Sequence, residues 1–215
     1  MPPFSPILAV SCLCLSVFFA LLGEYVPRLR ALRYVFKPLS TIILILWAVS
    51  FWERPVGRVS IALTLGLVFS LMGDALLLFE SKFREGLIAF LLAHLAYLVA
   101  LTSGVGFLAS IWPFLIWFAS GGILLRILWS GVPKGLGIPV ALYMLALVAM
   151  AAQASTVALV RPTFASMMAA IGAGLFVVSD ALLAFDRFRR PWRTARLLVY
   201  SSYFAAQGLL VYFLK

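Results

Sequence analysis

S-L-M-G-D-A-L-L-L-F-E, residues Ser70 to Glu80, and F-V-V-S-D-A-L-L-A-F-D, residues Phe176 to Asp186, are two versions of one phrase. Each sets an aspartate inside an apolar run long enough, at about 20 residues, to cross a bilayer. An ionisable group at membrane depth costs about 2.5 to 3.5 kcal/mol by insertion scales, so it normally marks a site or a proton path. Asp74 and Asp180 are therefore read as equivalent positions of an internal repeat with an offset of 106 residues. The same offset, without a gap, sets Lys37 on Tyr143, His94 on Tyr200 and Tyr97 on Tyr203.

Working outward, the whole chain has the composition of a membrane protein. It is 65% hydrophobic and 11% charged, with a mean hydropathy of +1.13, far outside the range of a soluble domain. Apolar stretches near residues 4–23, 38–52, 59–79, 86–103, 107–129, 136–156, 163–185 and 194–213 predict eight transmembrane helices, the second of them short. The connections are brief and rich in turn formers, as in Glu53-Arg54-Pro55-Val56-Gly57 and Gly131-Val132-Pro133-Lys134-Gly135, and leave no room for a soluble domain. The expected fold class is an all-α polytopic membrane protein: one transmembrane domain over 1–215, built as a 4+4 parallel repeat with halves at roughly 1–105 and 106–215. Helix 3 matches helix 7, so the halves share one orientation and are related by an axis along the membrane normal.

The first apolar run has no Lys or Arg before it, whereas Arg28, Arg30, Arg33 and Lys37 follow it. That order predicts a retained helix rather than a signal peptide. Cys12 and Cys14 stand two apart on that helix, which suits neither redox nor metal chemistry, and are expected to be buried free thiols. The net charge of +10 is explained by topology rather than by nucleic acid: 13 of the 17 Lys and Arg fall in connections after odd-numbered helices. The positive-inside rule makes that side cytoplasmic, and an even helix count puts both termini outside the cytoplasm.

A rise of about 1.5 Å per residue places Asp74, Asp180, His94, Tyr143 and Tyr203 at a common depth, roughly 8 to 14 Å below the cytoplasmic boundary. Both aspartates are expected about five residues from the cytoplasmic ends of their helices. Arg196, Tyr200, Tyr203 and Gln207 follow i, i+4, i+7, i+11 spacing, one helix face, which can aim at the two carboxyls. The outer halves of the helices carry fewer polar groups, chiefly Gln153, Ser155 and Thr156, so a pocket open to the cytoplasmic leaflet and closed beyond the midplane is expected.

Each candidate has a plainer alternative. Asp74 and Asp180 can serve as structural carboxyls bonded to Ser70, Ser179 or a neighbouring tyrosine, but a matched pair at equal depth points to chemistry instead. A buried carboxyl resists ionisation, and one beside another resists it further, so a pair can hold one proton between them as general acid catalysis needs. His94, the only histidine, is either a core residue or part of the site. Lys37, before Pro38 at the expected start of helix 2, either holds a lipid phosphate or obeys the positive-inside rule. With one histidine and no suitable cysteines no zinc site is expected; two carboxylates can hold Mg²⁺ together with a substrate phosphate, but no metal is expected here, and Gly131 to Gly137 lacks the strand and the GK[ST] ending of a phosphate loop.

K-P-L at Lys37 to Leu39, S-L-M-G-D-A-L-L at Ser70 to Leu77, A-H-L-A-Y at Ala93 to Tyr97, G-A-G-L-F-V-V-S-D at Gly172 to Asp180 and S-Y-F-A-A-Q at Ser202 to Gln207 occur in this order, with a helix beginning near Tyr143. In combination they resemble the YhhN-type lysoplasmalogenase family. The resemblance implies an eight-helix hydrolase that cleaves the vinyl ether bond of lysoplasmalogens, lysophospholipids with an alkenyl chain, giving a fatty aldehyde and glycerophosphocholine or glycerophosphoethanolamine. It implies Asp74 and Asp180 as the catalytic pair and no cofactor. Lys37, His94, Tyr97, Tyr143, Ser179, Tyr200, Tyr203 and Gln207 are the expected binding or orienting residues. The compact chain is more similar to bacterial members, which implies an inner membrane; a eukaryotic member would lie in the endoplasmic reticulum.

Two other classes share intramembrane carboxylates. A proton-coupled transporter should show polar groups or broken helices continuing to the far side. An intramembrane aspartyl protease should show G-x-G-D, where this chain has M-G-D at Met72 to Asp74.

Overall fold

A computed structural model describes residues 5–53 and 55–215. The start of the first expected span and Arg54, counted above with the less basic side, lie outside the described residues. The rest is helical: α1 (Pro6–Tyr25), α2 (Ala31–Val49), α3 (Arg58–Leu76), α4 (Phe83–Thr102), α5 (Ile111–Trp129), α6 (Gly137–Val160), α7 (Phe164–Phe188) and α8 (Ala195–Tyr212), with short 3-10 turns before α2, α4 and α6. Local chemistry sets several boundaries. Ser5 accepts from the Leu8 N–H with Pro6 at the first helical position, and Thr163 and Ser166 form a reciprocal capping box that starts α7.

Seven of the eight helices are long and apolar enough to cross a membrane. α8 falls short of that measure because it carries Arg196, Gln207, two serines and three tyrosines, of which Tyr200, Tyr203 and Gln207 are buried in the bundle. Large apolar side chains such as Ile7, Ile138 and Trp112 stand on the outside, the surface hydrocarbon requires.

Several expectations need correction. α2 is not short: it begins at Ala31, so Pro38 lies inside it rather than in its first turn. Proline there withdraws the N–H that the Tyr34 carbonyl would have accepted. Close by, the Phe36 carbonyl accepts from Ser40 at 2.8 Å and from Ser16 of α1 at 2.9 Å, and this brace ties α2 to α1. Cys14 is exposed and Cys12 only half-buried, because α1 buries the narrow stripe of Ala9, Leu13, Ser16 and Ala20 and the two cysteines stand on either side of it. Finally, the aspartates are not equally far from their helix ends: α3 stops at Leu76, just past Asp74, whereas α7 runs on to Phe188. The apolar Leu77 to Phe79 stretch, which extends the hydropathy signal of helix 3, leaves the helix and turns Phe79 outward.

Around the bundle, α2, α3 and α8 meet one another, while α4 and α7 pack on the two sides of α6. α3 lies against α4, and α7 against α8, along their lengths. Close approach of α3 to α4 depends on glycine: a Cβ on Gly66 would sit 2.2 Å from the Tyr97 ring, and one on Gly73 would sit 2.5 Å from the Phe90 ring. At the centre Phe90, His94, Phe176 and Tyr203 form an edge-to-face cluster with centroids 4.8 to 5.8 Å apart.

Gly66→Ala therefore forces the buried Tyr97 ring to move. We expect a loss of about 1–3 kcal/mol in stability, the usual scale for overpacking a filled core, measured by thermal unfolding in detergent; unchanged unfolding would contradict this packing.

Candidate active site

Where α3 and α7 end and α4 and α8 begin, the bundle opens on a cavity of about 130 Å³. Its walls are Leu, Val, Met and Phe side chains, including Phe90, Met144 and Leu147, and both Asp74 and Asp180 line it. The exposed Phe79, Glu80, Arg187 and Arg196 stand at its rim.

Asp74 is 1% exposed and fully engaged. On α2, Lys37 places its ammonium 3.3 Å from Oδ1, and Thr41, one turn on, donates to Oδ2 at 2.5 Å. From α8 the Tyr203 hydroxyl donates to the same oxygen at 2.8 Å. Lys37 is itself buried, so its charge is committed to Asp74 rather than free for a phosphate. The Tyr200 ring lies 5.4 Å from the Lys37 ammonium, and the Tyr200 hydroxyl donates to Glu24 of α1 at 2.7 Å. Glu24 also bonds Arg33 at 3.3 Å.

Asp180, 11% exposed at its side chain, has a different surrounding. The Tyr143 hydroxyl of α6 donates to Oδ2 at 2.6 Å. His94 of α4, wholly buried, brings Nε2 to 3.6 Å from that oxygen, and its Nδ1 bonds the Phe90 carbonyl. Among the described residues no hydrogen bond joins the two aspartates, so each is held by its own set of partners.

The remaining expected residues divide. Tyr97 and Gln207 lie behind Asp74: Tyr97 donates to the Gln207 carbonyl at 2.6 Å, and the Gln207 amide donates to Tyr203 at 3.0 Å. Ser179 donates to the Val199 carbonyl at 3.2 Å rather than to a carboxylate. Arg196 reaches Asp186 at 4.0 Å on the rim, and Arg187 stacks over Phe83. Thr41 and Glu24 were missed. Thr41 was findable, one turn beyond Lys37; Glu24 carries no such signal beyond being one of only seven acidic residues. Among the described residues, no three of His, Cys, Asp and Glu converge as metal ligands.

The model of the YhhN family matches residues 32–213, a span that includes both aspartates and every helix except α1. Over 202 residues the chain is 31% identical to the membrane protein YhhN of Escherichia coli, covering 92% of this chain and 94% of that one. It is 36% identical over 165 residues to human lysoplasmalogenase TMEM86B, covering 77% of this chain and 66% of that protein. The rat lysoplasmalogenase TMEM86B is 32% identical over 199 residues, covering 92% and 78%. No solved structure matches the chain.

Removing the buried cation leaves Asp74 as an uncompensated charge. Lys37→Met is expected to lose about 3–5 kcal/mol of stability, and the double variant with Asp74→Asn to recover most of it, both read from unfolding in detergent. Equal stability of Lys37→Met and the parent protein would show that the pair is not formed.

Proposed function

The chain belongs to the YhhN family, and we propose that it is an integral-membrane hydrolase that cleaves the vinyl ether bond of lysoplasmalogens. The observation that carries this reading is the pair of aspartates on separate helices facing one hydrocarbon-walled cavity with a charged rim. Such a cavity suits a single-tailed lipid whose reacting group sits beside its headgroup. The relatives that bear the name lysoplasmalogenase support this reading.

In this reading a carboxyl protonates the vinylic β-carbon, the other carboxylate faces the oxocarbenium ion that results, and water captures the cation. The hemiacetal then collapses to a fatty aldehyde and a glycerophospho-alcohol. Glycosidases divide labour between two carboxyls in the same way. Because Lys37 is held by Asp74, the phosphate is assigned to Arg196 and Arg187 at the rim, and a choline or ethanolamine ammonium to Glu80 and Asp186. His94, Tyr143 and Tyr203 orient the carboxyls, while Tyr97, Tyr200 and Gln207 support them from behind; Ser179 is a helix contact.

The architecture we propose is a single transmembrane domain of eight spans in a 4+4 parallel repeat. Contacts that exchange between halves support it: Asp74 meets α2 and α8, and Asp180 meets α6 and α4, the same relation shifted by four helices. His94 approaches Asp180 from the first half and Tyr203 approaches Asp74 from the second. Beyond the site, Gln153 bonds the Gly106 carbonyl and Trp117 bonds Ser155, contacts that close the far side and weigh against a transporter.

The rim lies on the side carrying 13 of the 17 basic residues, which we take as cytoplasmic, with both termini on the other side. Substrate then enters sideways from the inner leaflet of a bacterial inner membrane, or from the cytoplasmic leaflet in a eukaryotic cell.

Purified protein supplied with a 1-alkenyl lysophospholipid should release aldehyde, and should leave the 1-acyl ester analogue intact. Asp74→Asn and Asp180→Asn should each lower turnover by at least about 10²-fold, the scale of general acid-base groups, with folding retained. Aldehyde release at parental rates from either variant would end the two-carboxyl mechanism. For the orientation, single cysteines at the exposed Ser81 and Thr194, without Cys12 and Cys14, should react with impermeant thiol reagents only after cells are permeabilised. Labelling of both from outside would invert the topology.

A further inference from the structure

Hydrogen-bond direction distinguishes the two carboxyls. Every partner of Asp74 is a donor: the Lys37 ammonium at 3.3 Å, the Thr41 hydroxyl at 2.5 Å and the Tyr203 hydroxyl at 2.8 Å. An ammonium has three donors and no acceptor, so a proton on Asp74 would face Lys37 with nothing to receive it. The direction of Tyr203 is set further back. Its oxygen accepts from the Gln207 amide at 3.0 Å, which leaves its own proton for Asp74. The Gln207 carbonyl accepts from Tyr97 at 2.6 Å, which fixes the amide's orientation. With the Tyr97 proton used in that bond, Ser70, 3.1 Å away, donates to Tyr97. Ser70, Tyr97, Gln207 and Tyr203 thus form one chain from α3, α4 and α8 in which each donor points towards Asp74. A chain polarised in this way ends on an anion.

Asp180 stands at no such terminus. Among the described residues, no Lys or Arg lies within 4.0 Å of it; its neighbours are the Tyr143 hydroxyl and His94. The His94 Nδ1 bonds a backbone carbonyl, which only accepts, so Nδ1 carries the hydrogen. In the neutral ring Nε2 then presents a bare lone pair. That atom is buried without any hydrogen-bond partner; the Phe176 and Tyr143 rings pack on the imidazole with centroids 4.8 and 5.1 Å from its own, and Asp180 Oδ2 is 3.6 Å from Nε2. A proton on Asp180 is the complement that this lone pair lacks.

We propose that the transferable proton belongs to the Asp180–His94 side of the cavity, with Asp180 as the acid, and that Asp74 is the permanently ionised carboxylate, oriented by the Ser70–Tyr97–Gln207–Tyr203 chain. This rests on the vinyl ether hydrolase reading. The Asp180 proton bonds to the vinylic β-carbon, the double-bond pair supplies that bond, and the adjoining C–O carbon becomes the oxocarbenium centre opposite Asp74. Water adds through oxygen to that carbon and returns a proton to Asp180. Asp180 then protonates the departing glycerol oxygen as the hemiacetal C–O bond breaks, and recovers the hemiacetal hydroxyl proton, ending the cycle protonated. Net, one water is consumed. Between these transfers His94 Nε2 faces the Asp180 carboxyl and keeps the acid proton on it. Ser70, Tyr97 and Gln207 touch no substrate and are positioning residues.

Because His94 is the only histidine, labelling histidine with ¹⁵N gives a single imidazole in the unmodified protein. In lipid nanodiscs at neutral pH its NMR spectrum should show a neutral ring protonated at Nδ1 and bare at Nε2. An imidazolium, or the opposite tautomer, would overturn the proposal without any variant. Infrared spectra should contain the C=O band of a protonated carboxylic acid that survives Asp74→Asn and disappears in Asp180→Asn. The reverse pattern, or no such band in the unmodified protein, would equally overturn it. In Gln207→Leu the band should gain intensity at a higher pH than in the parent, because Asp74 loses an oriented donor; an unchanged profile would remove the positioning role of the chain. These spectra need no substrate, so absence of aldehyde release alongside the expected spectra would end the hydrolase reading and leave the protonation assignment standing.

Discussion

A charge enclosed by hydrocarbon helices has to be met by donors, and the arrangement of this bundle follows from how Asp74 is met. Leaving such a group unpaired costs several kcal/mol where water cannot reach it. Its partners come from α2 and α8, and the groups behind them from α4 and α3. α1 joins through two further links, Ser16 on the Phe36 carbonyl beside Lys37 and Glu24 on Tyr200. Five helices are therefore referenced to one carboxylate, which gives the site more rigidity than apolar helix packing alone provides.

The two halves of the site show how one layout can carry two chemistries. At matched positions the first half has Lys37 and Thr41 where the second has Tyr143 and Leu147. A cation and a hydroxyl stand beside Asp74, while a phenol and an apolar wall stand beside Asp180. The division of roles proposed for the carboxyls rests on these two exchanges rather than on any difference in the D-A-L-L phrase itself.

Much of this was legible in the sequence because hydropathy reports on helices directly and a fixed offset pairs distant positions. Seven spans and the convergence of Asp74, Asp180, His94, Tyr143 and Tyr203 were readable on those grounds. Contacts between helices were not. Lys37 and Asp74 are separated by two helix lengths, and no local pattern tells a lysine paired across helices from one that snorkels to the interface. Pro38 looked like a helix start because proline is usual there, while the brace of Ser16 and Ser40 that accommodates it inside α2 draws on another helix. Glu24, at the end of α1, is indistinguishable in sequence from an ordinary boundary charge.

The ion pair of Lys37 with Asp74 has one more consequence under the proposed reaction, which would make an aldehyde beside an amine. A neutral lysine attacks an aldehyde through its nitrogen lone pair and goes on to a Schiff base, which would tether the enzyme to its own product. The Lys37 nitrogen is buried and held 3.3 Å from a carboxylate, turned to Asp74. The interaction that anchors the helices would thus also keep this lysine from the aldehyde that the proposed reaction releases.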